Sequence, residues 1–358
     1  MKYKLLKRKF HSDLWIAIFA VTFGLHAVQN IHHSDSSFYR PKSPSKCVYC
    51  YKEDYILMCH IVAQATARTA TAVRMLANTS GMSHAKCRSE FYARTNNTVR
   101  RFPVPLGKVN WEVPYPEYKP THYTSEHVLK SPPWADKEDL ASAGYNWNDM
   151  DNGVNRRSYL GQYKLDDEGH PLNPIGRTGV QGRGCLGRWG PNHAADPIVT
   201  KWKRDSQGHQ VLGPDDLPIL QCVLILRGDC NEWALPGGMV DPGENVSKTL
   251  QREFLEEAMD SCSEEEISKI KHFFESEGAE IYKGYVDDPR NTDNSWMETY
   301  AMNFHDHDGS VFEKIQLQFG DDAVGVKWKD LTKDLKLYAS HSEFIDILLD
   351  LHINSKYL

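Results

Sequence analysis

Trp233-Ala-Leu-Pro-Gly-Gly-Met-Val-Asp-Pro-Gly-Glu-Asn-Val-Ser-Lys-Thr-Leu-Gln-Arg-Glu-Phe-Leu-Glu-Glu257 decides the reading of this chain. Its landmarks are Gly238, Glu244 and the run Arg252-Glu253-Phe254-Leu255-Glu256-Glu257. The paired glycines Gly237 and Gly238 lack a Cβ, so backbone there can approach a bound group closely. Pro242-Gly243 predicts a turn. Val246 to Ala258 holds good helix formers and no Pro or Gly, which predicts a helix. On it Glu253, Glu256 and Glu257 stand at i, i+3 and i+4, so their carboxylates are expected to converge on one face.

Crowded carboxylates repel one another unless a cation is bound or protons are taken up. An oxygen-rich set of this kind suits Mg2+ or Mn2+, which bridge carboxylate and phosphate oxygens. Arg252 can orient a glutamate by a bidentate contact. The alternative, a solvated acidic helix face, leaves the glycines and Glu244 unexplained.

Working outward, Ile219 to Leu226 is a near-continuous apolar run, the pattern of a strand covered on both faces. Ile281–Val286 and Ala323–Trp328 also read as strands. Phe344, Ile345, Leu348, Leu349 and Leu351 form a helical stripe, with Ser340 and Glu343 spaced as a capping box. Strands interleaved with helices predict an α/β domain.

The stretch Gly238 to Glu257 resembles the Nudix box, the signature of hydrolases acting on nucleoside diphosphates linked to another moiety. The resemblance implies an α/β/α sandwich with a mixed sheet, the box forming its loop–helix–loop. The box normally has a Gly two residues after the last glutamate, where this chain has Met259. Further stretches resemble the mitochondrial ADP-ribose pyrophosphatase branch: Gly176-Arg-Thr-Gly179, Gly187 to Pro197, Tyr282 to Asn294 and Leu337-Tyr-Ala-Ser-His341. That branch implies ADP-ribose as substrate, AMP and ribose 5-phosphate as products, and divalent metals held by Glu253, Glu256 and Glu257. A box glutamate, or a carboxylate on a later loop such as Asp321 or Asp322, would take the proton of the attacking water.

Outside the box the readings divide. Arg290, Asn291, Asp293 and Asn294 either grip ribose and phosphates or form an Asx-rich turn. His193 and Asp196, in the same Gly-Pro-rich stretch, are weaker candidates for substrate contact, and the histidine alternatively ties two domains together. Trp189 and Trp296 stack on adenine or belong to the core. A sensor that binds ADP-ribose without turnover, and a hydrolase of NADH or a related nucleotide, are the competing functions.

The whole chain sets outer bounds. Forty-two Lys and Arg against 48 Asp and Glu give a net charge of −6, which excludes a generally basic nucleic-acid binder. Eight Cys in 358 residues are too few for a disulfide scaffold. Residues 1–87 read as targeting leader and linker, 88–200 as a smaller loop-rich substrate-side domain, and 201–358 as the hydrolase domain. Within the leader, basic residues precede the apolar run Leu14–Val28, a secretory signal or membrane anchor. The segment 56–86 lacks Asp and Glu and reads instead as a mitochondrial presequence. Cys47, Cys50, Cys59 and His60 lack the second ligand pair of a zinc finger.

Overall fold

The computed structural model describes residues 84–259, 263–276, 278–313, 315, 317–318 and 323–354, all within the compact unit Ala70–Leu358. The leader segments, the Cys47–His60 group and both Asp321 and Asp322 lie outside the described residues.

In chain order the principal elements are β1 (Thr121–Thr124), β2 (Val180–Gly184), β3 (Gly190–Trp202), β4 (Leu220–Arg227), β5 (Trp233–Ala234) and β6 (Gly238–Met239). They continue with helices α1 (Val246–Ala258) and α2 (Glu264–Phe274), strands β7 (Ala279–Tyr285), β8 (Ser295–Asp306) and β9 (Ala323–Asp330), and helix α3 (His341–Asn354). A seven-stranded sheet has the order β9-β4-β3-β8-β7, with β5 beside β4 and β6 beside β3. β3 and β8 run parallel and the remaining pairs antiparallel, so the sheet is mixed.

The alternation of side chains along a strand builds two cores. Val199 and Val223 meet Leu250, Phe254 and Ala258 of α1 on one face. Ile198, Cys222 and Leu224 meet Phe344, Ile345 and Leu348 of α3 on the other. The result is the expected α/β/α sandwich. The helix predicted over Val246–Ala258 has those bounds, capped by Asn245, whose side chain accepts from Lys248 N–H. Met259 follows with φ −140°, a conformation that needs no glycine, and at 3% exposure it fills the core beside Phe254.

Two expectations need correction. The capping box belongs to α2, where Ser263 and Glu266 satisfy each other's backbone; at α3 the backbone carbonyl of Ser340 accepts the first bonds. The stretch from Gly190, read as loop-rich, is the longest strand. Its prolines are tolerated for a reason. Val240 N–H bonds to the His193 carbonyl, so odd-numbered residues of β3 turn their backbone groups toward β6 and β4. Pairing on that edge covers only Ala194–Ala195 and Thr200–Trp202, and Pro191 and Pro197 fall outside it. β3 also crosses residue 200, where the loop-rich segment was expected to end.

Before β3 the chain is loop-rich, with β1 and β2 paired in parallel. Buried arginines bond its segments together. Arg156 grips Asp136 through two nitrogens at 2.8 and 2.9 Å and Asp151 at 2.7 Å. Arg101 donates to the carbonyls of Thr178, Asn291 and Pro289. Gly243 N–H in the 238–244 loop donates to Gly153 O at 2.9 Å, so this region also holds the loop that precedes α1.

Candidate active site

Pro236-Gly237-Gly238 carries the chain from β5 to β6 against Glu253 and Glu257 of α1. Gly238 is required for space. A Cβ there would lie 2.3 Å from both carboxylate oxygens of Glu253. Gly243, by contrast, is required for conformation, with φ +80° and open space around it.

Arg252 organises the acidic face. It grips Glu244 through Nε and Nη2 at 3.1 and 3.0 Å, and Nη2 also donates to Met239 O at 3.0 Å. Its Nη1 reaches Glu253 at 2.8 Å and Glu256 at 3.0 Å. Thr249 and Asp241 N–H complete the shell of Glu244, whose carboxyl these bonds hold below the usual range. The bidentate partner of Arg252 is thus Glu244, which fastens the loop to the helix.

The three helical glutamates differ. Glu253 is buried at 7% exposure, and burial pushes its carboxyl up to about 7 although Arg252 pulls the other way. Glu257 accepts Gly237 N–H at 2.7 Å, and burial raises it to about 8 against that bond and the pull of Arg227. The Glu256 side chain is 58% exposed. Among the described residues no three His, Cys, Asp or Glu side chains converge closely enough to hold an ion. Arg252 occupies the space between Glu253 and Glu256. The donor set nevertheless suits a hard divalent cation: burial raises the carboxyls of Glu253 and half-buried Glu257, and a cation would favour their ionised forms.

Asp196 joins this face from β3. Gly237 is flush against it, since a Cβ on Gly237 would lie 2.2 Å from Asp196 Oδ1. Asp196 Oδ2 accepts the Thr299 hydroxyl at 2.6 Å, and burial raises the carboxyl to about 6. His341 Nδ1 accepts Leu235 N–H at 2.9 Å, which leaves the ring proton on Nε2, 3.9 Å from Asp196 Oδ1. Burial lowers this histidine to about 3, so it is neutral.

The other sequence candidates are placed differently. Arg290 pairs bidentately with buried Asp288 at 2.8 and 2.7 Å. Asn291 spends both amide hydrogens on Tyr285 OH and Val286 O, and its oxygen accepts Met297 N–H. Asp293 accepts from Thr178 N–H, Thr178 OH and Tyr118 OH. Asn294 bonds Gly182 N–H and Pro171 O. The last three therefore direct these side-chain bonds inward and knit the early loops to the sheet. His193 packs on Tyr159, with Nε2 3.8 Å from the fully buried Glu298, and burial lowers it to about 4. Trp189 and Trp296, 2% and 0% exposed, are core residues and leave no face for adenine.

Sequence reasoning missed Thr299, Asp288 and Arg227, and it named His341 only through resemblance. Arg227 clasps Asp229 at 2.9 Å and sits over the Tyr338 ring. Asp288-Pro-Arg290 was the legible signal, an acid and a base placed to close on each other.

A mixed-sheet sandwich whose glycine bend abuts a helix bearing Arg-Glu-x-x-Glu-Glu defines a Nudix domain. Residues 212–346 match the family described as NUDIX domain, and residues 104–190 match "NUDT9-like, N-terminal domain". The chain is 50% identical to the mitochondrial ADP-ribose pyrophosphatase of Rattus norvegicus, over 75% of this chain and 78% of that protein. It is 51% identical to a transient receptor potential cation channel subfamily M member-like 2 of Nematostella vectensis, over 74% of this chain and 17% of the channel. The chain belongs to the Nudix hydrolases, in the branch that carries a NUDT9-like N-terminal domain.

Proposed function

We propose that this protein hydrolyses the diphosphate of ADP-ribose to AMP and ribose 5-phosphate. The observation that carries the reading is a pair of carboxylates, buried Glu253 and half-buried Glu257, set against the Gly237–Gly238 bend, with Arg252 tying the helix to the loop. The substrate follows from the 50% likeness to an ADP-ribose pyrophosphatase along most of both chains.

Nudix hydrolases depend on divalent metal, and here Mg2+ or Mn2+ would be held by Glu253, Glu256 and Glu257. Bound there, the cation supplies charge neutralisation of the diphosphate and lowers the pKa of water. Arg252 keeps Glu253 and Glu256 oriented, and the glycines bring backbone close to the phosphates. Mitochondrial residence follows the named relative. Among the described residues no helix is long and apolar enough to cross a membrane.

Purified protein incubated with ADP-ribose and Mg2+ releases AMP, separated by chromatography, and Glu256→Gln releases far less. Equal yields from the two proteins refute the assignment. The channel relative favours a second reading, a sensor without turnover; against it stand the intact Arg252-Glu253 and Glu256-Glu257. ADP-ribose retained unchanged by the protein after incubation with Mg2+ would select the sensor.

A further inference from the structure

We propose that Asp196 is the general base of the reaction, the group that takes the proton of the attacking water. The inference rests on the hydrolytic reading above and adds a residue from outside the box. The two carboxylates Asp196 and Glu257 close on one residue: Asp196 Oδ1 lies against the Cα of Gly237, and Glu257 Oε2 holds its N–H at 2.7 Å. The box glutamates are engaged otherwise, Glu253 and Glu256 by Arg252 and Glu257 by the Gly237 amide.

Asp196 stands outside the proposed metal-holding set, with one oxygen fixed and one spare. Oδ2 is anchored by Thr299 OH at 2.6 Å, which sets the plane of the carboxylate. Oδ1 takes no hydrogen bond among the described residues, and His341 Nε2 lies 3.9 Å from it. That separation is too long for a direct bond. The charged and titratable groups facing Asp196 are Glu257 from α1, His341 from α3 and Arg290 from the loop before β8. Burial favours the protonated acid, while the Thr299 hydrogen bond and Arg290 favour the anion.

In the step, one O–H bond of water breaks and its proton passes to Asp196 Oδ1. The water oxygen bonds to one phosphorus, and the bond from that phosphorus to the bridging oxygen breaks. The bridging oxygen leaves on the other phosphate, and Asp196 returns its proton to solvent.

The test compares Asp196→Asn and Asp196→Ala with wild type at saturating Mg2+ and ADP-ribose. Asp196→Asn should lower kcat by about 100-fold or more with KM within about threefold, the range of a lost general base. Mg2+ binding by titration calorimetry should stay at the wild-type level, whereas Glu256→Gln loses it. Formate, a small carboxylate, should restore kcat at least about tenfold to Asp196→Ala and do nothing for Glu256→Gln. The proposal is overturned by kcat within about tenfold of wild type, by a rise in KM alone, or by no gain from formate. Should Asp196→Ala melt below the assay temperature, the kcat and KM of Asp196→Asn decide. A wild type that releases no AMP refutes the hydrolytic reading itself, whatever the variants do.

Discussion

Gly238→Ala is the sharpest perturbation of the proposed site. It adds one methyl to a residue that needs no unusual φ, so any effect comes from space and not from backbone strain. The new Cβ would sit 2.3 Å from both oxygens of Glu253, where ordinary contact begins at 3.4 Å. Glu253 must retreat by about 1 Å, and a misplacement of that size costs on the order of 100-fold in rate. It cannot swing freely, because Arg252 holds it at 2.8 Å and the side chain is buried at 7% exposure. Overpacking of this kind also costs roughly 1–3 kcal/mol of stability. The assay is kcat for AMP release against Mg2+ concentration, with thermal melting alongside. Gly107→Ala, where nothing lies within 4 Å, serves as the silent control. A Gly238→Ala enzyme with wild-type kcat and Mg2+ requirement would refute the reasoning that Glu253 works from this position.

Glu257 gives a pH prediction. Its folded carboxyl, raised from 4.5 to about 8, stays protonated where the unfolded one ionises. Metal-free protein therefore loses stability as pH rises from about 4.5 to about 8. In EDTA the melting temperature of Glu257→Gln should fall less over this range than that of wild type, and Mg2+ at pH 8 should raise only wild type; parallel curves contradict this. Arg252→Lys should lose about 100-fold in kcat, because an ammonium cannot hold Glu244 bidentately while bonding Glu256 and Met239 O; near-normal turnover would show that a point charge is enough. Asn291→Ala should cost roughly 1–3 kcal/mol per stranded buried partner while the folded fraction keeps its KM; a large rise in KM with unchanged melting would return Asn291 to the substrate.

The box was legible because everything it needs is local. Helix propensity, the turn at Pro242-Gly243 and the spacing of the glutamates all act within 20 residues, and the same stretch gave both α1 and the acidic face. What spacing could not show is how Arg252 divides its bonds. Placing carboxylates on one helix face says nothing about whether a guanidinium stands between them, and here one does. The strand β3 was hidden for the opposite reason. Gly, Pro, Asn and Asp break the apolar pattern of Gly190–Trp202, and the partner that pairs along almost its whole length, β8, begins 105 residues after it does. Asp196 lay within that stretch, so its approach to Gly237 was equally invisible.

The polar run Asp288–Asn294 marks the limit of composition as a guide to ligands. A segment dense in Arg, Asn and Asp beyond a strand end carries many donors and acceptors, and it looks the same whether those groups await a phosphate or another part of the chain. A loop-rich region without a large sheet leaves many backbone groups unpaired, and each must find a partner once buried. In this protein Asp293 takes Thr178 N–H at a separation of 115 residues, Asn294 takes Gly182 N–H at 112, and Arg101 closes on Asn291 O from 190 residues away. These bonds fix the early loops against the sheet, and through Gly153 the same region steadies the loop ahead of α1. Satisfying buried backbone is therefore the first use of that polarity, and binding can draw only on the groups left over.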